Sequence, residues 1–170
     1  PSGITKFEVK KGLEPKSQVY IRFMGDGEWT RQNQHDLASL SRVLGIRLRE
    51  VLREDMGGTY GVRAGGGLSR RPRETYSFTL SFGCAPENVD TLTSAVLSEI
   101  ETIKKGGIGE DYLVKVRESQ TRKRELDVKS NRFWSGQLAS YSRYDGDPRL
   151  ILDYDALVKS VSSSRIQEAA

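Results

Sequence analysis

Leu52-Arg53-Glu54-Asp55-Met56-Gly57-Gly58-Thr59-Tyr60-Gly61-Val62 is the stretch where the chain changes period. Upstream of it, Leu37, Leu40, Leu44, Leu48 and Val51 step by three or four. That spacing predicts a helix from about residue 34 to Met56. Gly57 and Gly58 follow the last apolar residue, and glycine just past a helix end takes the left-handed cap without a steric penalty. An extended segment begins at Tyr60. A helix end followed by a strand start places Arg53 and Tyr60 close together at one edge of a sheet. Arginine carries five donors and tyrosine one hydroxyl, enough to hold the backbone carbonyls of an extended ligand. Arg53 lies nine residues after Leu44. At about 100° per residue that is half a turn from the apolar stripe, so it faces solvent or a cleft. By position alone it also reads as a solvated helix-end arginine, suited to the negative end of the macrodipole.

Working outward, strand patterns flank this junction. Gln18 to Gly25 alternates, with Val19, Ile21 and Phe23 on one face and Tyr20, Arg22 and Met24 on the other. Residues 60 to 68 and 74 to 83 make two more strands. In the second, Tyr76, Phe78, Leu80 and Phe82 share a face opposite Thr75, Ser77, Thr79 and Ser81. Ile4, Phe7 and Val9 allow a short strand over residues 4 to 10, and Gly12 to Ser17 reads as a turn. Trp29 to Asn33 reads as a polar loop. Ser69-Arg70-Arg71-Pro72-Arg73 reads as an exposed basic loop tip. Gly65-Gly66-Gly67 lacks the Lys-Ser/Thr of a phosphate-binding loop and opens no helix, so it marks a bulge or the close approach of another backbone.

Four helical patterns follow. The first runs from Pro86 to about Lys105 on a stripe of Val89, Leu92, Val96, Ile100 and Ile103, with Pro86 at its first position. The second spans about Gly109 to Lys129. The third covers about Asn131 to Tyr144, where Trp134, Leu138 and Tyr141 read as core. Leu150 to Val161 adds a further piece. Ser162-Ser163-Ser164 then offers N-caps for one more helix, with Gln167 closing a capping box from Ser164. That helix carries no stop signal before Ala170, so the chain reads as one domain over 1–170, an incomplete piece of a larger protein truncated at its C-terminal end. The element order argues for an α+β fold, an antiparallel sheet packed on helices.

Composition fits a water-exposed protein of one domain, with 36% hydrophobic and 29% charged residues over 170 positions. No apolar run reaches the roughly 20 residues of a membrane helix. The net charge of +4 comes from 27 basic and 23 acidic residues. They are interleaved, which argues against nucleic-acid binding. A single cysteine, Cys84, makes no internal disulfide and reads as a buried thiol. A single histidine, His35, sits at a helix start, where it caps or faces water. Three zinc ligands cannot be assembled from one His and one Cys, and neither a G-x-S-x-G elbow nor a second base is present. The chain alone is predicted inactive, with no metal site.

The Arg53-to-Tyr60 block, with Gly12-Leu13-Glu14-Pro15-Lys16-Ser17 and Arg165-Ile166-Gln167-Glu168-Ala169-Ala170, resembles the C-terminal half of the pitrilysin/insulinase zinc peptidases. The resemblance implies a mitochondrial-processing-peptidase-like metallohydrolase half-domain. It implies that Arg53 and Tyr60 bind the substrate main chain and steady the reacting carbonyl of a zinc metalloendopeptidase. Zinc would sit on an earlier, N-terminal domain, in an inverted His-x-x-Glu-His helix, and a bacterial parent would be periplasmic. Partners would be that zinc-bearing domain and a peptide substrate, with no nucleic acid and no membrane insertion. Arg165 stands where the family tends to place an acid, a departure from the pattern. Two other classes compete. One is a non-catalytic structural or assembly subunit of the same fold, resembling the core subunits of respiratory complexes. The other is an interaction module whose open sheet edge pairs two copies into a homodimer.

Overall fold

The computed structural model describes residues 3–170, and the side chains of Glu54, Asp55 and Tyr60 lie outside the described set. Strands β1 (Ser17–Asp26), β2 (Thr59–Ser69) and β3 (Thr75–Cys84) form an antiparallel sheet in the order β1-β3-β2. The alternation read from the sequence fixes its two faces. Val19, Phe82 and Val62 lie in one row, and Ile21, Leu80 and Ala64 in the next. These rows face the helices. Phe23, Phe78 and Gly66 form a third, and a Cβ on Gly66 would fall 2.3 Å from the Phe78 ring. Glycine there lets that ring lie over β2. The alternate rows, Tyr20–Ser81–Arg63 and Arg22–Thr79–Gly65, face the other way.

Helix α1 (Arg31–Arg49) crosses the apolar face beside β2. It starts three residues before the predicted point, so residues 31 to 33 are helical rather than loop. Thr30 is the cause: its hydroxyl accepts from the Asn33 N–H at 2.9 Å and satisfies a first-turn donor. The helix also ends differently. Glu50–Asp55 forms a π turn, closed by Met56 N–H donating to Val51 O at 3.1 Å. The wider turn puts Leu52, not Val51, in line with Leu44 and Leu48. Leu52 is fully buried, while Val51 is only partly so.

A 3-10 turn (Pro86–Asn88) leads into α2 (Val89–Gly106), and α3 (Glu110–Asp127) follows. Leu92, Val96, Ile103 and Val116 complete the core with Leu44, Leu80 and Phe82. Arg47 of α1 forms an ion pair with Glu99 of α2, which is 7% exposed. The hydrogen bond to Glu99 raises the Arg47 pKa. Helix α6 (Ser163–Ala169) docks by side-chain capping. Gln167 Nε2 donates to Lys104 O at 2.7 Å and Lys105 O at 3.1 Å, closing the end of α2. Gln167 therefore closes no capping box. The N-cap is Ser162, whose hydroxyl accepts from Arg165 N–H. Arg165 itself pairs with Asp36 of α1 at 3.1 Å.

Four further expectations are corrected. Residues 4 to 10 form no strand. Ile4, Phe7 and Val9 are 92%, 91% and 85% exposed, because no neighbour supplies a ladder. Helix α4 (Asn131–Arg143) has the predicted bounds but contributes no buried residue, and Leu138 is half exposed. Its stripe has the right period but no sheet beneath it. The basic loop tip is not wholly free either. The Arg70 guanidinium lies 3.3 Å from the Trp29 ring centroid and 4.8 Å from that of Tyr144. A 3-10 turn (Pro148–Ile151) and α5 (Tyr154–Ser160) replace the single helix read over 150 to 161.

His35 neither caps α1 nor faces water. It is 6% exposed, edge-on to the Tyr154 ring of α5 at 5.7 Å. Neither ring nitrogen has a hydrogen-bond partner among the described residues. Burial lowers its pKa, Asp36 opposes that, and Arg31 and Arg42 add to it. The unfolded chain therefore takes up the proton first, near the ordinary value of about 6.5.

Truncating Leu52 to Ala is expected to cost about 2–5 kcal/mol in urea unfolding, through loss of apolar burial and the cavity left behind. Leu152→Ala, at a site 74% exposed, is expected to stay within about 0.5 kcal/mol. Stability contributed by neutral His35 is complete above pH 6.5 and lost as pH falls below it, by at most about 1.4 kcal/mol per pH unit. Unfolding midpoints from pH 7.5 to 5 check this, and His35→Gln is expected to flatten the drop between pH 6.5 and 5.

Candidate functional site

The polar groups read from the junction are positioned by two backbone irregularities, one on each side of Gly57–Gly58. Arg53 stands in the π turn, exposed, next to buried Leu52. It makes no ion pair or hydrogen bond among the described side chains. Gly57 has φ +60°, and Gly58 N–H donates to Leu52 O at 3.1 Å, so the predicted left-handed cap is present. A Cβ on Gly58 would fall 2.9 Å from Leu92 of α2, so this residue must also be small.

On the strand side the ladder pairs Thr59 with Cys84 and Gly61 with Gly83, leaving Tyr60 as the inserted residue of a bulge. A bulge re-aims a side chain and increases local twist, and bulges are frequent beside active sites. The Tyr60 side chain lies outside the described residues. Its backbone position is held by Thr59, which is 8% exposed. The Thr59 hydroxyl donates to Gly83 O at 2.7 Å and accepts from Gly61 N–H at 3.1 Å. One side chain thus satisfies groups on both sides of the bulge.

The π turn is anchored in turn from α3. The Tyr112 hydroxyl donates to Glu50 at the start of the turn, and this hydrogen bond is the main cause of the raised Tyr112 pKa. Arg47 and Lys115 lie 5.1 Å and 5.0 Å from the Tyr112 ring centroid. Neither Thr59 nor Tyr112 stands out in the sequence. The only available signal for Thr59 was a small polar residue between a glycine pair and a tyrosine, and Tyr112 had none.

The donor set here does not fit a zinc ion. His35 is packed against Tyr154 within the helical layer, and Cys84 is buried at the end of β3 with burial raising its thiol pKa. Among the described residues no three His, Cys, Asp or Glu side chains converge to hold a metal. No described helix is long and apolar enough to cross a membrane. What the described residues of the junction offer is an exposed guanidinium beside a bulged tyrosine position.

Comparison with known proteins gives the chain's family and fold. Residues 1–120 match the family model described as the peptidase M16 inactive domain. A curated relative, "Probable zinc protease PqqL" of Haemophilus influenzae, is 29% identical over 130 residues, covering 72% of this chain. The chain spans only 14% of that relative's length. Among solved structures, the periplasmic protease PqqL from Escherichia coli superposes with a TM-score of 0.76 at 23% identity. The match covers 92% of this chain and 17% of that one. A peptidase M16 inactive domain from Pseudomonas fluorescens also gives 0.76, at 17% identity, covering 91% of this chain and 37% of that one. At these identities the structural likenesses establish the fold.

Proposed function

The chain belongs to the peptidase M16 inactive-domain family, and from that premise we propose that it is the substrate-engaging domain of a zinc metalloendopeptidase. In this reading it works as one domain of a longer polypeptide. Zinc and the attacking water belong to an N-terminal domain bearing an inverted His-x-x-Glu-His helix. Arg53 and Tyr60 hold the substrate backbone and donate to the oxygen of the reacting carbonyl. The observation that carries the proposal is the junction itself. A π turn and a β-bulge both depart from regular geometry within ten residues, and they do so where Arg53 and Tyr60 stand. Such departures cost stability and gather at functional sites.

Donors preset around a developing oxyanion each supply about 3–4 kcal/mol in comparable sites. A guanidinium and a phenol provide this without being consumed, which suits a domain that works beside a separate zinc-bearing one. The PqqL of E. coli is a periplasmic protease, and a periplasmic setting for a bacterial parent of this chain accords with it. Pairing of two copies through the open edge of β1 is the competing reading. On β2 that mode is blunted, because Gln34 Oε1 already accepts from the edge N–H of Leu68 at 2.8 Å.

In the full-length parent, Arg53→Ala and Tyr60→Phe are each expected to lower kcat at least about tenfold, or 1.4 kcal/mol of transition-state stabilisation. Zinc content, read by atomic absorption, should not change. Wild-type turnover in both variants would sink the assigned roles.

A further inference from the structure

The sheet face turned away from the helices holds two glycines that the chain's own packing does not explain. Gly61 and Gly65 lie inside β2 with backbone angles open to any residue, since the positive-φ glycines are 3, 12, 57 and 107. A Cβ at either position would meet nothing within 4 Å. Glycine in a strand interior weakens the strand and marks a bulge or the close approach of another backbone. Gly61 borders the bulge at Tyr60, whereas Gly65 stands in regular ladder with no neighbour that requires it, which points to a backbone approaching closely. Gly66, next to Gly65 in sequence, is the contrast, because the Phe78 ring accounts for it.

The ladder places both glycines on one surface. Gly61 is in the row of Gly83 and Gln18, and Gly65 in the row of Thr79 and Arg22. Between them runs the row of Arg63, Ser81 and Tyr20. The floor is therefore small and hydrogen-bonding, with Tyr20 71% exposed at one side. Arg22 and Arg63 rise from opposite edges in neighbouring rows, about 12 Å apart by strand and row spacing. Both are exposed, and neither forms an ion pair among the described residues. The strands place one carboxylate on this face, Asp26, in the last row beside Thr75 and Ser69.

We infer that this outer sheet face binds an extended polypeptide segment bearing acidic side chains, its backbone lying over Gly61 and Gly65 and its carboxylates meeting Arg22 and Arg63. Charge complementarity selects the occupant. Two guanidiniums with no ion pair among the described residues flank a floor too flat to grip a bulky apolar group, and an extended chain directs alternate side chains toward both. The Gly61 end adjoins the bulge at Tyr60, so the face continues the site proposed above and names its substrate class. The inference rests on that reading for its catalytic meaning, though the binding itself does not require it.

The test is fluorescence anisotropy at low salt, using the 170-residue chain and two labelled twelve-residue peptides, one alternating Glu and Ala and the other Lys and Ala. The acidic peptide is expected to bind at least tenfold tighter. Gly65→Val should weaken it at least fivefold by filling the trough. The double variant Arg22→Glu/Arg63→Glu should reverse the preference, a gain that misfolding cannot mimic. The control Arg122→Glu/Arg132→Glu makes the same charge change at exposed sites on α3 and α4 and should leave the preference intact. Equal affinity for both peptides, or the same reversal in the control, would overturn the inference. Arg53→Ala separates the two readings. Normal turnover of the Arg53→Ala parent, with the acidic preference retained here, removes only the role of Arg53. Slowed turnover without a charge preference removes only the acidic-substrate face.

Discussion

Burial of Leu52 is the constraint on which the site depends. Leu40, Leu44, Leu48 and Leu52 recur every four residues. In a helix of 3.6 residues per turn such a row drifts steadily round the axis. Continued to Met56, an α-helix would carry Leu52 off the sheet while Val51 came round onto it. The π turn widens the last circuit and brings Leu52 back over the core, where it is fully buried. The same turn leaves Arg53 exposed beside it. Core packing and the exposure of Arg53 thus share one cause, and changing the first alters the second.

The strand side repeats this logic in another form. After Gly58 the chain must pass Leu92 of α2 closely and then enter a ladder against β3. The bulge takes up the mismatch in one residue, Tyr60. Left unsupported, it would strand buried backbone groups, and an unmet buried donor or acceptor costs about 1–3 kcal/mol. Thr59 answers for two of them with a single hydroxyl. A valine of the same shape would fill the space and meet neither.

Much of the fold was legible because its signals are periodic. Alternation in β1 and β3 gave the faces, and the three-four spacing in α2 gave its stripe. Periodicity reports which side of an element is apolar and does not report whether anything covers it. That is why Trp134, Leu138 and Tyr141 of α4 read as core and lie half open. It is also why Ile4, Phe7 and Val9 read as a strand where no partner stands. His35 was misplaced for a related reason. A polar residue near a helix start reads as a cap, but Thr30 had already taken that role and set the helix start three residues earlier. At the site, Arg53 and the glycine cap were readable from local chemistry. The bulge at Tyr60 was not, since it arises from register between strands distant in sequence.

Helix α1 and strand β2 are tied together at both ends, and this bears on how the junction holds its shape. At one end Gln34 accepts from Leu68 N–H, and Arg70 beyond it stacks on Trp29 ahead of the helix. At the other end the π turn and Gly57–Gly58 join the two directly. Between these ties β2 runs eleven residues, about 35 Å of extended chain. A helix and strand clamped at both ends cannot slide past one another without breaking one tie. The anchoring of Glu50 by Tyr112 then fixes the free side of the turn against α3. Arg53 is therefore carried on a frame braced from three directions, while its own side chain is exposed and makes no ion pair or hydrogen bond among the described side chains. In the role proposed for Arg53, such a frame matters, because a donor that meets charge appearing only during a reaction would otherwise add its reorientation to the barrier.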